Sequence, residues 1–328
     1  MTEAAAPPRI AVPAAIDPAA FAGHDPAARV AMFGGKTMGT TWSVQAALSG
    51  GHAAGEAALT EAVTARLATI CAQMSHWDKA SLLSRFNTAP AGSTITLPRD
   101  FARVIAGALH VAEASGGAFD PALGRLTDLW GLGPNPAPAS PSRAALTQAR
   151  GAGGWHRLAF DPISATLHQP GGVWLDLSGI AKGFAVDAVA DLLAAQGVRH
   201  ALVEIGGECA GRGVRPDGDP WWVDLEAPPA ASLPGLRAAL HGLAVATSGD
   251  YLRGAHTLDP VTGLPLIGAV TAVSVLHPSC MHADAWATAL GAAPLPRAQQ
   301  LATAHALAAR MVLRSGEEWL SPALQAML

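Results

Sequence analysis

The chain has 328 residues, of which 50% are hydrophobic and 14% are charged, and its formal net charge is −4. This is enough for a sizeable core in one large domain or two small ones. The weak negative charge without a basic run argues against a nucleic-acid partner, and no apolar run is long enough to span a bilayer.

Residues 1–36 are rich in alanine and proline, which predicts an irregular arm. Their first charged residue is Glu3, Pro13 interrupts the apolar run, and no lipobox cysteine follows, so the pattern is not that of a secretory signal. The three cysteines form no CxxC pair, which predicts neither a zinc site nor a disulfide framework. We therefore expect a cytoplasmic protein with free thiols.

Residues 37–328 are predicted to form a single domain in which strands and helices alternate. Strands are predicted over 41–47, 198–205, 221–225, 243–247, 270–276 and 310–313, with three short ones between 156 and 177; helices are predicted over 57–74, 100–115 and 178–197, from 283, and over 298–309. Many strands joined by hairpin-like turns, with interspersed helices, favour an α+β fold of mixed, largely antiparallel sheets flanked by helices.

The helix predicted over 57–74 is amphipathic. Its apolar face consists of Leu59, Val63, Leu67, Ile70 and Met74. Cys71 falls at a core position of the same helix, which predicts a buried, inert thiol.

A strand–helix–strand pattern occupies residues 173–205. Val173–Leu177 is a short apolar run typical of a strand, Ser178 is suited to cap the helix that follows, and Gly197 is suited to end it in the left-handed conformation. Asp176 lies within the apolar run, and Lys182 lies in the first helical turns, where the helix dipole disfavours a cation. Two interpretations are open: a structural ion pair, or a phosphate or nucleotide site at the helix N-terminus.

A second pair of polar residues lies near the start of the helix predicted from 283. Asp284 and Thr288 are four residues apart and therefore share one helical face. A carboxylate and a hydroxyl are both oxygen ligands suited to Mg²⁺. The alternative is an aspartate that favours the helix start, with a threonine packed behind it.

Two further residues have both a functional and a structural interpretation. Trp77 lies in a polar loop, where it either stacks on a ligand or covers the core. His256 is either a general base or an exposed residue beside the Asp259-Pro260 turn. Gly35-Lys36-Thr37 is not a P-loop, because the glycine required five residues before Gly35 is missing, and no GxSxG elbow of an α/β-hydrolase occurs.

Eight short motifs spread from Met38 to Thr288 combine these features. They are Met38-Gly39-Thr40-Thr41-Trp42, SHWDKASLLSRFN (75–87), Gly117-Ala118-Phe119-Asp120, DLSGIAKGFAVD (176–187), VEIGGE (203–208), ATSGDY (246–251), HTLDPVTGLP (256–265) and ADAWAT (283–288). Because it contains all eight motifs in this order, the sequence resembles the ApbE family, the FAD:protein FMN transferases. The resemblance implies an ApbE-like, T-fold-like arrangement and transfer of FMN from FAD to a Thr or Ser hydroxyl of an acceptor protein, with Mg²⁺ as cofactor and AMP as product.

The resemblance also implies roles for individual residues. Asp284, Thr288 and the backbone carbonyl of Gly179 match the family's Mg²⁺ ligands. His256 matches a histidine near the reacting phosphate, so the candidate catalytic residues are His256, Asp284 and Lys182. Positions that match FAD contacts are Met38, Trp77, Ala118, Phe119, Asp120, Asp176, Lys182 and Leu258.

The sequence departs from the family pattern in three places. Tyrosine is usual where this sequence has Trp77, and often where it has Trp42. Aspartate is common at the position of Glu208, a difference that we expect to matter little. Most members carry an export signal or lipid anchor, whereas the pattern over residues 1–36 predicts neither. Two alternative functions are kept: a Mg²⁺-dependent FAD pyrophosphatase that yields FMN and AMP, and a non-catalytic flavin-binding or electron-transfer protein.

Overall fold

The computed structural model describes residues 7–50, 55–137, 140–229, 231–251, 254 and 256–328. Its strands are β1 (Arg9–Ala11), β2 (Arg29–Thr37), β3 (Thr40–Leu48), β4 (Thr94–Thr96), β5 (Ala159–Asp161), β6 (Thr166–His168), β7 (Ala201–Ile205), β8 (Glu208–Arg212), β9 (Trp221–Asp224), β10 (Leu236–Leu240), β11 (Leu243–Gly249), β12 (Val270–His277), β13 (Ala308–Leu313) and β14 (Glu318–Leu320). Its helices are α1 (Glu56–Met74), α2 (Leu82–Thr88), α3 (Arg99–Ser115), α4 (Gly124–Leu129), α5 (Arg143–Ala152), α6 (Ala181–Ala195), α7 (Cys280–Ala292), α8 (Leu295–Ala304) and α9 (Pro322–Gln325).

The strands form one large sheet and two small ones. The eight-stranded sheet has the order β14-β13-β12-β11-β8-β7-β3-β2, and every neighbouring pair in it is antiparallel. The small sheets are β1-β10-β9, in which β1 and β10 are parallel, and β4-β6-β5. The predicted α+β class with largely antiparallel sheets is confirmed.

The large sheet is covered differently on its two faces, as the alternation of side chains along its strands shows. In β7, Val203 and Ile205 pack in the main core with helices α1, α3, α6 and α7. Leu202, which precedes Val203 and points to the opposite face, packs in a second core with residues of β9, β10 and α9. The helical face is the one that carries α6 and α7, and these two helices position the site described below.

The predicted irregular arm over 1–36 is wrong for two of its segments. Residues 29–37 form β2, an edge strand paired along its whole length with β3, and residues 9–11 form β1, which pairs with β10. In β2, Ala31 and Phe33 are buried while Val30 and Met32 are exposed, an alternation that the surrounding alanines and prolines conceal. Composition alone gave no partner for β1, because that partner lies more than 200 residues away.

The helix predicted over 57–74 is confirmed as α1. All five residues of its predicted apolar face are buried. Cys71 corrects the prediction in one detail, since its side chain is half-buried rather than buried; all three cysteines are free thiols. In the described part of the chain, we find no helix with both the length and the apolarity needed to cross a membrane.

The strand predicted over Val173–Leu177 is wrong. This segment is extended but joins no sheet; its backbone bonds instead to the side chain of Asn87, at both the N–H and the carbonyl of Leu175, and to the Pro121 carbonyl. The predicted cap is also wrong, because α6 begins at Ala181, with Ile180 in the capping position. The left-handed end at Gly197 is confirmed by its φ of +86°.

Helices α6 and α7 lie unusually close together. A Cβ atom on Gly183 of α6 would lie 2.8 Å from the Cβ atom of Asp284 on α7. Asp187, one turn further along α6, is buried and accepts hydrogen bonds from the backbone N–H groups of Cys280 and Met281 at 2.9 and 3.1 Å. Asp187 therefore caps the N-terminus of α7 and fixes the position of that helix against α6.

Candidate active site

A cleft of about 270 Å³ lies where the N-terminal turn of α6 meets α7, the β7–β8 turn and the end of β11. The predicted site residues that line it are Ala118, Phe119, Asp120, Asp176, Gly179, Lys182, His256, Leu258, Asp284 and Thr288. The fold therefore brings residues from the third motif to the last one together at one cavity.

The floor of the cleft holds three buried or half-buried charged groups. Lys182 donates a hydrogen bond to one carboxylate oxygen of Glu208, whose side chain is 3% exposed. The other oxygen of Glu208, Oε2, is buried without a hydrogen-bond partner among the described residues. Asp284 is also buried, and its Oδ2 accepts a hydrogen bond of 3.0 Å from the backbone N–H of Gly183.

Burial raises the proton affinity of both carboxyl groups. Burial raises the pKa of Glu208 to about 7, and the charge of Asp284 adds to this while that of Lys182 opposes it. Burial likewise raises the pKa of Asp284. Burial disfavours the Lys182 ammonium, but the two carboxylates outweigh it and raise the Lys182 pKa. One ammonium thus faces two carboxyl groups, an arrangement that favours an additional positive charge.

Thr288 and Gly179 line the same cleft as Asp284 and carry the other two predicted oxygen donors. Thr288 lies one turn along α7 on the same face, as the spacing predicted. A Cβ atom on Gly179 would lie 2.8 Å from Thr288 Oγ1, so only glycine leaves the space between them open. The carboxylate, the hydroxyl and the Gly179 carbonyl make a set of hard oxygen donors that fits Mg²⁺.

The donor set contains few ionisable side chains. Across the residues that the structure describes, no three His, Cys, Asp or Glu side chains form a group that could hold a metal ion. Asp284 provides the one carboxylate of the set, and the other two predicted donors are a hydroxyl and a backbone carbonyl. Such a set suits Mg²⁺, which commonly binds one or two carboxylates and completes its shell with water or substrate phosphate.

Asp176 belongs to a different hydrogen-bonded group at the cleft wall. Its Oδ1 accepts hydrogen bonds from the backbone N–H and the hydroxyl of Ser178, at 2.9 and 2.6 Å. Its Oδ2 accepts one of 2.6 Å from Thr127 Oγ1. The ion pair with Lys182, one of the two interpretations of the sequence, is not formed; Lys182 pairs with Glu208 instead.

Asp120 organises the loop on the opposite side of the cleft. Its carboxylate accepts hydrogen bonds from the backbone N–H groups of Ala122 and Trp155, at 2.8 and 3.2 Å. Burial raises the Asp120 pKa, and these two bonds limit the shift. The neighbouring Phe119 is 3% exposed and packs in the main core, so its side chain supports the cleft wall more than it projects into the cavity.

His256 begins a hairpin of residues 256–267, here called the rim hairpin, at the mouth of the cleft. Its ring Nδ1 lies 2.9 Å from the Gly254 carbonyl oxygen. A carbonyl only accepts, so Nδ1 carries a proton and Nε2 of the neutral ring is left as the acceptor. Leu258, two residues on, is buried and pairs across the hairpin with Pro265.

Residues 38–311 match the ApbE family. The chain belongs to the ApbE family.

Relatives and solved structures support the assignment over most of the chain. The FAD:protein FMN transferase of Haemophilus influenzae is 33% identical over 305 residues, which cover 88% of this chain and 87% of that protein. The enzyme of the same name from Vibrio cholerae is 33% identical, with 90% and 91% of the two chains covered. The apo flavinyl transferase ApbE of Pseudomonas stutzeri superposes with a TM-score of 0.85 at 36% identity, covering 92% of this chain and 97% of that one. This ApbE protein is thus an enzyme of the flavin transferase class, as predicted.

Two of the predicted FAD-contacting residues are not among the cleft-lining side chains of the described segments. Met38 lies in the β2–β3 turn with a positive φ of 48° and packs against the main core. Trp77 is 63% exposed and lies beside the ring of His76, with 5.4 Å between the ring centroids. Their assignment as FAD contacts stays a prediction.

Several polar residues of this ApbE cleft were not predicted as site residues. Glu208 was noted only as a departure from the family pattern, yet it is the ion-pair partner of Lys182. Tyr251 lines the cleft and donates a hydrogen bond to Glu226, which also lines it. The double glycine before Glu208 and the position of Tyr251 as the only tyrosine were the available signals.

Proposed function

We propose that this ApbE-family enzyme transfers FMN from FAD to a Thr or Ser hydroxyl of an acceptor protein, with Mg²⁺ as cofactor and AMP as the leaving product. The observation that carries the proposal is the buried cluster of Lys182, Glu208 and Asp284 beside the Gly179 and Thr288 oxygens. A site with excess carboxylate charge and hard oxygen donors suits a divalent cation, and a pyrophosphate suits a site that contains such a cation.

The cluster supports a choice of metal ligands and a role for Lys182. Asp284, Thr288 and the Gly179 carbonyl would hold Mg²⁺, which when bound neutralises charge that develops on the phosphates. Lys182 lies in the first turn of α6, where it adds a fixed positive charge that Glu208 holds in place. This ammonium would bind the pyrophosphate in the ground state and in the transition state alike.

His256 provides the acceptor for the proton that is lost. The hydroxyl oxygen of the acceptor residue forms a bond to the FMN phosphorus, the bond from that phosphorus to the AMP oxygen breaks, and the hydroxyl proton passes to Nε2 of His256. The Gly254 carbonyl holds the ring in the tautomer this step requires. Positioning of FAD and the hydroxyl in the cleft supplies most of the remaining acceleration.

The test separates this reaction from the two alternatives. The enzyme is incubated with FAD and Mg²⁺, with and without protein from a cell extract, and AMP, FMN and covalent flavin fluorescence on denaturing gels are measured. The proposal expects AMP in step with protein-bound flavin, and little free FMN. Rapid AMP and free FMN without protein would indicate a pyrophosphatase, and intact FAD in all samples would indicate a flavin carrier.

A further inference from the structure

We infer that the rim hairpin and the groove behind it dock an extended segment of the acceptor protein, with an apolar side chain close to the residue that is modified. The inference rests on the proposed transfer of FMN to a protein hydroxyl. It assigns a recognition surface to the second substrate, whereas the cluster on the cleft floor concerns the flavin and the metal.

The rim hairpin is held rigidly. Its strands are joined by hydrogen bonds from Leu266 N–H to the Thr257 carbonyl at 2.8 Å and from Asp259 N–H to the Leu264 carbonyl at 2.9 Å. The indole N–H of Trp130 donates to the carbonyl of Gly263, at the hairpin tip, at 2.8 Å. A surface that is ordered before binding loses little conformational entropy when a partner docks on it.

This rigid hairpin presents large apolar side chains to solvent. Val261 is 72% exposed, Leu264 45% and Ile267 79%, all within seven residues. The Leu258 side chain is buried in a small core with Leu126, which anchors the hairpin. This packing does not explain why the other three apolar side chains are exposed. Several large apolar side chains exposed on one short segment are typical of a surface that contacts a protein partner.

A groove continues from the cleft along the far side of the hairpin. Asp120 and Leu123 line both cavities, so the two spaces adjoin. His256 and Leu258 face the cleft, whereas Pro260 and Val261 face the groove. A chain that lies in the groove therefore passes Val261 and reaches the cleft beside the proposed base.

The groove fits a polypeptide backbone. Its wall combines glycine backbone at Gly116 and Gly151 with the side chains of Arg150, Trp155 and His156. Such a mixed wall can bind the backbone of an extended segment as well as its alternate side chains. Apolar side chains of the segment would contact Val261 at the groove and Ile267 at the end of the hairpin, while a hydroxyl residue enters the cleft.

The test uses Val261→Ser, Ile267→Ser and their combination, with Ile163→Ser as the matched control. Ile163 is 95% exposed but lies in the turn between β5 and β6, away from the cleft. The probe is a library of short peptides that contain a single threonine between randomised positions, and covalent flavin is measured by fluorescence and sequencing. A second measurement is the rate of transfer to the proteins of a cell extract.

The wild-type enzyme should select apolar residues near the modified threonine. The double variant should lose that selection and show a kcat/KM for the selected peptides at least about tenfold lower, because two apolar contacts are removed. Its FAD affinity should stay unchanged, and Ile163→Ser should behave as wild type. The loss should appear in the KM for the peptide rather than in the KM for FAD.

Three results would overturn the inference while leaving the transfer reaction standing. The first is that the wild-type enzyme selects peptides without apolar residues near the threonine. The second is that the double variant and the wild type transfer flavin to extract proteins at equal rates. The third is a change of oligomeric state in the double variant, which would assign the surface to a second copy of the chain. If the wild-type enzyme modifies neither peptides nor extract proteins, both the inference and the proposed function fail.

Discussion

The close approach of α6 and α7 makes Gly183 a sensitive test of how the cleft floor is built. In Gly183→Ala the new Cβ atom would overlap the backbone carbonyl of Cys280 and lie 2.8 Å from Asp284 Cβ, where unstrained carbon atoms lie about 3.5–4.0 Å apart. The helices therefore have to separate by about 1 Å, which also disturbs the bond from Gly183 N–H to Asp284. Overpacking of this kind costs about 1–3 kcal/mol.

Gly291 near the end of α7 is the matched control. Neither Gly183 nor Gly291 has a positive backbone φ, so both can accept a side chain. At Gly291 the atoms nearest to a new Cβ would be Ser248 Oγ and Val273 Cγ2, both at 3.9 Å, which is an ordinary contact. Gly291→Ala should therefore gain up to about 1 kcal/mol from helix propensity. Gly183→Ala should lose about 2 kcal/mol, or about 3 °C in Tm for a chain of 328 residues.

Calorimetry and AMP release would be measured on both variants. A displacement of Asp284 by about 1 Å should lower turnover by about 10²-fold in Gly183→Ala and leave Gly291→Ala active. Equal Tm and equal turnover in the two variants would refute the idea that contact between these helices sets the position of Asp284.

Three further predictions concern the charged groups of the cleft. Asp284→Ala should abolish Mg²⁺-dependent turnover with the fold intact, and a normal Mg²⁺ titration would contradict the metal assignment. Lys182→Ala should raise the KM for FAD and slow turnover, because it removes ground-state binding as well. His256→Ala should lower kcat about 10²-fold at constant KM, and a raised KM with unchanged kcat would place the base elsewhere. Burial raises the Glu208 pKa from 4.5 to about 7, so between these pH values the native state binds a proton that the unfolded chain does not. The free energy of unfolding should therefore fall as pH rises across that interval, by up to about 3 kcal/mol relative to Glu208→Gln, as urea unfolding at several pH values would show.

Local patterns in the sequence predicted those parts of the site that lie within one element. The spacing of Asp284 and Thr288 placed both on one face of α7, and the apolar periodicity of α1 identified its buried residues. The resemblance of eight motifs then supplied the family, which no single motif specified.

Contacts between distant segments were the part that the sequence did not predict. Lys182 and Glu208 are 26 residues apart, on a helix and on a strand, and nothing in either segment specifies the other. The apolar run at Val173–Leu177 resembles a strand, but the side chain of Asn87 occupies the backbone groups that a neighbouring strand would use. In both cases the deciding partner is set by tertiary packing, which local propensity does not encode.

The strand order of the large sheet has a consequence for how the enzyme is made. β3, near the beginning of the chain, pairs with β7, and the following neighbours in the sheet extend to β13 and β14 near its end. Contacts of such long sequence separation form late and slowly, so a growing chain on the ribosome exposes unpaired strands for most of its synthesis. The cleft, which takes residues from Ala118 to Ala292, is complete only when the last third of the chain has emerged. No chain that ends before residue 292 can therefore contain the complete cleft, and synthesis has to run almost to its end before the cleft can bind a ligand.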